Sequence, residues 1–210
     1  MMNTASTIQT LVIFSTLLTA GHANATPNVI MTTVISGSLE LDGDSSLHRY
    51  SAKTRDLRAV VHVDDASHTS ADLESNVRAG HVTSVELVAR VNGLTSGDAA
   101  LDRNMWKALK SDKFQAIRFV AERFEVRPPS TSGASMDLAM RCKLSVAGVE
   151  RTIVMSVNAF RTEGGLRIVG SKDILMTDYG IKPPTMMLGA IKTANLVVVK
   201  FDVELRTTAR

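Results

Sequence analysis

One cysteine, one tryptophan, two tyrosines and five prolines in 210 residues set the first limits. A lone thiol, Cys142, closes no disulfide within the chain, so stability must come from buried apolar surface. Cys142 stands in phase with apolar neighbours, and the expectation is a buried, inert thiol rather than one that pairs between chains. Aromatics at 4% argue against a membrane-spanning barrel, which carries Trp and Tyr girdles at both interfaces. Lys+Arg 24 against Asp+Glu 21 leaves a net charge of +3, with both signs interspersed. No basic cluster with stacking aromatics exists, so no nucleic-acid partner is expected. The histidines of the expected mature chain, His48, His62, His68 and His81, are scattered and form no metal-ligand spacing, so neither a metal nor a cofactor is expected. There is no G-x-S-x-G elbow, and Gly164-Gly165 reads as a turn rather than a phosphate cradle.

Long apolar runs are also missing. The nearest is residues 8–20, broken by Gln9, Thr10, Ser15, Thr16 and Thr19. It is too short and too polar to span a bilayer core of about 30 Å. Ala23-Asn24-Ala25 follows as an A-x-A cleavage pattern. Residues 1–25 are therefore read as a signal peptide cut before Thr26, although no Lys or Arg precedes the apolar run. That leaves one domain, 26–210, in the periplasm or secreted. No Cys sits at the cleavage site, which argues against a lipoprotein.

What the chain does have is alternation. In residues 136–157, Met136, Leu138, Met140, Cys142, Leu144 and Val146 share one face of an extended strand, and Asp137, Arg141, Lys143 and Ser145 share the other. Gly148 lies in a turn, and Ile153, Met155, Val157 and Ala159 return along one face. Similar strands are expected over 29–42, 47–63 with a break near Asp56, 82–91, 117–126, 166–176 and 196–206. A change of phase between Ala121 and Phe124 predicts a bulge near Glu122-Arg123. Residues 64–80 and 178–195 read as loops. One helix is expected, 101–110, started by Asp98 or Ser96 and leaning on one end of the sheet. The sum is an all-β fold: a closed, eight-stranded antiparallel barrel with one short helix insert, apolar faces inward.

Three uses of such a barrel stay open at this point. Eight strands enclose either a filled core or one small ligand. A hollow barrel lined by flexible methionines suits an apolar chain, worth about 0.8 kcal/mol per buried CH₂. A filled barrel would be a structural or partner-binding module. Ser45 with His48 invites a hydrolase reading, set against a plain turn held by hydrogen bonds. Asp98, Asp102 and Asp112 read as caps and solvating charge.

Several segments, in order, resemble one family. Gly43-Asp44-Ser45-Ser46-Leu47-His48-Arg49-Tyr50 resembles the Gly-Ser/Thr-Ser-Thr-Leu-His-x-Trp segment of YceI-like proteins, with Tyr50 in place of Trp. Leu94-Thr95-Ser96-Gly97 and the helix that follows resemble their Leu-x-Ser-Gly segment. Lys113-Phe114-Gln115-Ala116-Ile117 resembles a strand start in which Gln115 replaces Pro. The turn after Leu144 and the segment Met176 to Pro184 are also similar. The resemblance spans 34–205 and implies an exported, lipocalin-like barrel that binds a polyisoprenoid or related lipid without catalysis. The expected partner is a polyisoprenoid or quinone-type lipid, with peripheral membrane contact and a homodimer left open. The expected lining is Met105, Trp106 and Leu109 from the helix, and Phe119, Met140, Leu144, Met155, Val157, Ile174 and Met176 from strands and their ends.

Overall fold

Period-two alternation governs the architecture of the computed structural model, which describes residues 28–30, 32–64, 72–186 and 190–207. The expected signal peptide and His68 lie outside the described residues. The strands are β1 (Asn28–Ile30), β2 (Thr32–Ser45), β3 (Tyr50–Thr54), β4 (Leu57–Val63), β5 (Val82–Arg90), β6 (Ala116–Arg127), β7 (Met136–Val146), β8 (Val149–Thr162), β9 (Gly165–Leu175), β10 (Thr185–Met186) and β11 (Ile191–Thr207). The order is β1-β4-β5-β6-β7-β8-β9-β11-β2-β3, with β10 on β11, and every ladder is antiparallel.

The expected closed eight-stranded barrel is thus corrected. Among the described residues the sheet has eleven strands and curls into a half-barrel whose ladder stays open. The expected 29–42 strand is divided between β1 and β2, the expected 178–195 loop holds β10 and the start of β11, and Arg55-Asp56 divides the 47–63 region into β3 and β4. No ladder joins β3 to β4; the two-residue link does, while β2 lies against β4.

The 64–80 loop is a second correction, because it holds helix α1 (Leu73–Ala79). Seven residues with only Leu73 and Val77 on one face give too little periodicity to read. The helix stays because it is tied down. Buried Glu74 accepts from Arg78 Nε at 2.9 Å and from Arg161 Nη1 at 3.2 Å, and Arg78 Nη2 donates to the Ser135 carbonyl at 2.7 Å. Helix α2 (Ala99–Ala108) is the expected one. Asp98 caps it, accepting from the amides of Ala100 at 2.7 Å and Leu101 at 3.0 Å, and those amides hold the carboxyl below its ordinary pKa. Buried Asp102 accepts from the Ser96 amide and hydroxyl at 2.7 and 2.6 Å.

The β6 bulge falls where the phase change puts it: Ala121 pairs with Cys142 and Arg123 with Arg141, so Glu122 is the extra residue. The β7–β8 hairpin turns at Ala147 (φ 50) and Gly148 (φ 83), both left-handed, as a two-residue hairpin turn of type I′ requires. The Phe114 ring lies over Gly148; an added Cβ would stand 2.2 Å from its Cζ. Gly148→Ala is expected to destabilise by about 1.5 kcal/mol, from left-handed strain and displacement of that ring, and chemical denaturation measures it.

Two apolar clusters close the ends of the curled sheet. At one end α1 plugs the sheet, with Leu73 and Val77 packed among Val61, Met136, Leu138, Met140, Met155, Val157, Leu166 and Leu205. At the other end α2 and its neighbours pack Val91, Leu94, Leu109, Leu144, Val146, Tyr179 and Ile181. Exposed ion pairs decorate the outer face, where Lys143 meets Glu122 at 2.6 Å, Lys53 meets Glu40 at 3.9 Å, and Lys200 pairs with Asp42.

Candidate functional site

The two clusters share Phe119 and Ile153, which pack against both. Between the clusters lies a cavity of about 780 Å³. Its wall follows from the alternation: Leu39 and Leu41 of β2, Leu57 of β4, Leu87 and Ala89 of β5, Ile117 and Phe119 of β6, Leu144 and Val146 of β7, Ile153 of β8, Ile174 of β9, and Val197, Val199 and Phe201 of β11. Helix α2 roofs it with Leu101, Met105 and Ala108, followed by Leu109. The segment after β9 adds Met176, Tyr179 and Ile181.

A floor separates this cavity from the plugged end. Leu87, Phe119, Phe201 and Val203 border both the large cavity and a void of about 50 Å³ beneath α1. One side wall is slit. The β8–β9 ladder begins at Thr162 with Gly165 and stops at Val157 with Gly170. Beyond that rung β8 pairs only with β7, and β9 only with β11. Two bonds bridge the slit: Lys172 Nζ donates to the Val154 carbonyl at 3.0 Å, and Arg151 Nε to the Asp178 carbonyl at 2.9 Å.

Of the residues expected to line a pocket, Met105, Leu109, Phe119, Leu144, Ile174 and Met176 are brought together on the cavity wall. Met140, Met155 and Val157 instead lie in the solid cluster at the α1 end. They share the inward phase, but α1 fills the space in front of them. Trp106 is an anchor: its indole N–H donates to the carbonyl of fully buried Leu94 at 2.8 Å and fixes α2 on the sheet. The reading missed Lys107, Lys110, Lys172 and Lys182, all on the lining. For Lys172 the signal was present, since period two from Ile168 to Ile174 passes through it.

Ser45 and His48 sit at the cavity rim as a turn. The Ser45 hydroxyl donates to the His48 carbonyl at 2.8 Å and accepts from the amides of Leu47 at 3.3 Å and His48 at 3.2 Å. Its hydrogen is therefore committed to backbone. Tyr50, also on the lining, lies across Gly43, where an added Cβ would come 2.1 Å from the ring. Among the described residues no three His, Cys, Asp or Glu side chains gather to hold a metal ion.

Cys142 is 1% exposed, and burial pushes its thiol pKa from 9.0 up to about 12. Alkylation at pH 8 is expected to be at least tenfold slower in the native protein than in the denatured chain. Mass spectrometry after an iodoacetamide time course checks this.

The YceI-like domain family model matches residues 15–205. No curated protein matches the chain. Among solved structures, BcnA of Burkholderia cenocepacia superposes with a TM-score of 0.59 at 13% identity, covering 80% of this chain and 95% of that one. A polyisoprenoid binding domain from Saccharophagus degradans, implicated in plant cell wall breakdown, gives 0.61 at 11% identity, covering 86% and 100%. The YceI protein of Campylobacter jejuni gives 0.53 at 13% identity, covering 99% and 94%.

Proposed function

Because the chain belongs to the YceI-like domain family, we propose that it is an exported binding protein, not an enzyme, and that it holds a polyisoprenoid or similar amphiphilic lipid in its cavity. The observation that carries this reading is the unfilled apolar volume of about 780 Å³ between two well-packed ends. Protein interiors pack like organic crystals, and voids larger than a water are few. A volume this large lies within the roughly 300–1,000 Å³ of small-molecule sites. About ten buried methylenes contribute on the order of 8 kcal/mol before association costs, so greasy walls suffice without a special motif.

The similarity to the Saccharophagus degradans polyisoprenoid binding domain supports the ligand class, and quinone-type heads fall within it. Export, to the periplasm or outside the cell, is proposed on the leader-like pattern of residues 1–25. Leu47, 65% exposed beside the cavity rim, suits peripheral contact with a membrane that supplies the lipid. The turn-bound hydroxyl of Ser45 favours binding over hydrolysis. The filled-barrel alternative fits the two packed ends but not the space between them.

Native mass spectrometry after gentle purification tests the proposal. The expected result is a lipid adduct removed by organic extraction and restored by an isoprenoid or quinone. Protein that is always empty and takes up neither overturns it.

A further inference from the structure

We propose that the amphiphile carries an anionic head of phosphate or carboxylate class, received at the cavity by Lys107, Lys110, Lys172 and Lys182. The inference rests on the lipid-binding reading above and names the class of ligand head. Among the described residues the cavity lining holds these four lysines and not one Asp or Glu. The chain as a whole is nearly balanced, with 24 basic and 21 acidic side chains, so the one-sided lining is not a consequence of composition.

Away from the cavity, Lys53, Lys143 and Lys200 each meet a carboxylate, and Lys113 and Lys192 make no ion pair among the described residues. Lys107, Lys110 and Lys182 make no ion pair among the described residues. Lys172 occupies an inward position of β9, between Ile168 and Ile174 in phase and opposite Val199 of β11. An inward lysine in an apolar wall is costly unless its ammonium finds partners. Its one hydrogen bond goes to the Val154 carbonyl, and an ammonium has three donors. Lys107 and Lys110 project from the end of α2, and Lys182 follows buried Ile181 on the segment that packs against that helix. Three separate elements thus bring positive charge to one apolar chamber. A neutral head such as an alcohol would leave those charges unmatched, whereas an anion gains charge-assisted hydrogen bonds from each lysine that reaches it.

Isothermal titration calorimetry of the full domain with farnesol, farnesyl phosphate and inorganic phosphate tests this. The first two share one tail and differ only in the head. Farnesyl phosphate is expected to bind at least tenfold tighter than farnesol. Raising salt to 0.5 M should shrink that preference, because the lysines are partly exposed. In a variant carrying Lys107→Gln, Lys110→Gln, Lys172→Met and Lys182→Gln the ratio between the two probes should fall toward one. Lys182→Glu alone, on an exposed side chain, should lower the ratio at least threefold and keeps the test open should the fourfold variant fail to fold. Equal affinities for the two probes, or a preference that survives the substitutions, overturn the inference while leaving lipid binding intact. Inorganic phosphate binding as tightly as farnesyl phosphate overturns it in favour of a free-phosphate site. Binding of neither isoprenoid overturns the lipid reading and this inference together.

Discussion

Ile174→Arg is expected to weaken isoprenoid binding about 100-fold while the protein still unfolds cooperatively. Ile174 lines the cavity wall on β9 and is only partly buried, so a guanidinium there can stay hydrated until a ligand binds. Filling the cavity with an apolar chain strips that water. Burying a polar group without a partner costs roughly 2–7 kcal/mol and a charge costs more, but a flexible arginine can withdraw toward the slit or the rim. A residual penalty near 3 kcal/mol corresponds to about 100-fold in affinity. Calorimetric titration beside a thermal melt measures both quantities. Met140→Arg provides the contrast. Met140 is 7% exposed within the solid cluster, so that substitution is expected to prevent folding outright.

Phe119→Ala is expected to cost about 3 kcal/mol of stability and to change which tails are accepted. Phe119 pairs with Leu87 of β5 on one side and Leu144 of β7 on the other, and its ring forms part of the floor between the two voids. Removing the ring joins the cavity to the space under α1. In the unaltered protein the floor ends the tail site, so binding should cease to improve once the tail reaches Phe119 and Phe201. In the variant that limit should move to longer chains. A series of prenyl alcohols of increasing length, titrated into both proteins, reads the limit. A plateau at the same length in both would show that something other than this floor sets it.

Much of this arrangement was legible from alternation. The inward phases of β7 and β11 follow directly from Met136 to Val146 and from Val197 to Leu205, because each side chain's face is fixed by its neighbour's. The Glu122 bulge was legible for the same reason. What alternation does not encode is depth. Met140 and Leu144 have the same phase and similar size, yet one packs solidly and the other faces the cavity. The difference comes from α1, seven residues with two apolar contacts, held by Arg161, which is 87 positions away from Glu74. Trp106 misled for a related reason. Its neighbours on α2 face the cavity, but its N–H found the Leu94 carbonyl, a partner set by the turn before the helix. Lys172 interrupts the apolar residues of the inner face of β9, so a pattern of apolar residues alone does not reveal it.

The slit between β8 and β9 leaves the wall closed on that side only as far as its last rung, so a wider wall would cost one rung at a time, like a fastener opened tooth by tooth. The next rung is Val157 with Gly170. Each hydrogen bond given up there is worth about 1 kcal/mol net. Each methylene admitted by the wider wall contributes about 0.8 kcal/mol. A guest with a few carbons to spare therefore outweighs the loss of one rung, and a slim guest does not. Gly170 is where the fastener closes: the Phe201 and Val157 side chains fill the place a Cβ would take, each 2.7 Å from it, so only glycine lets them pack there.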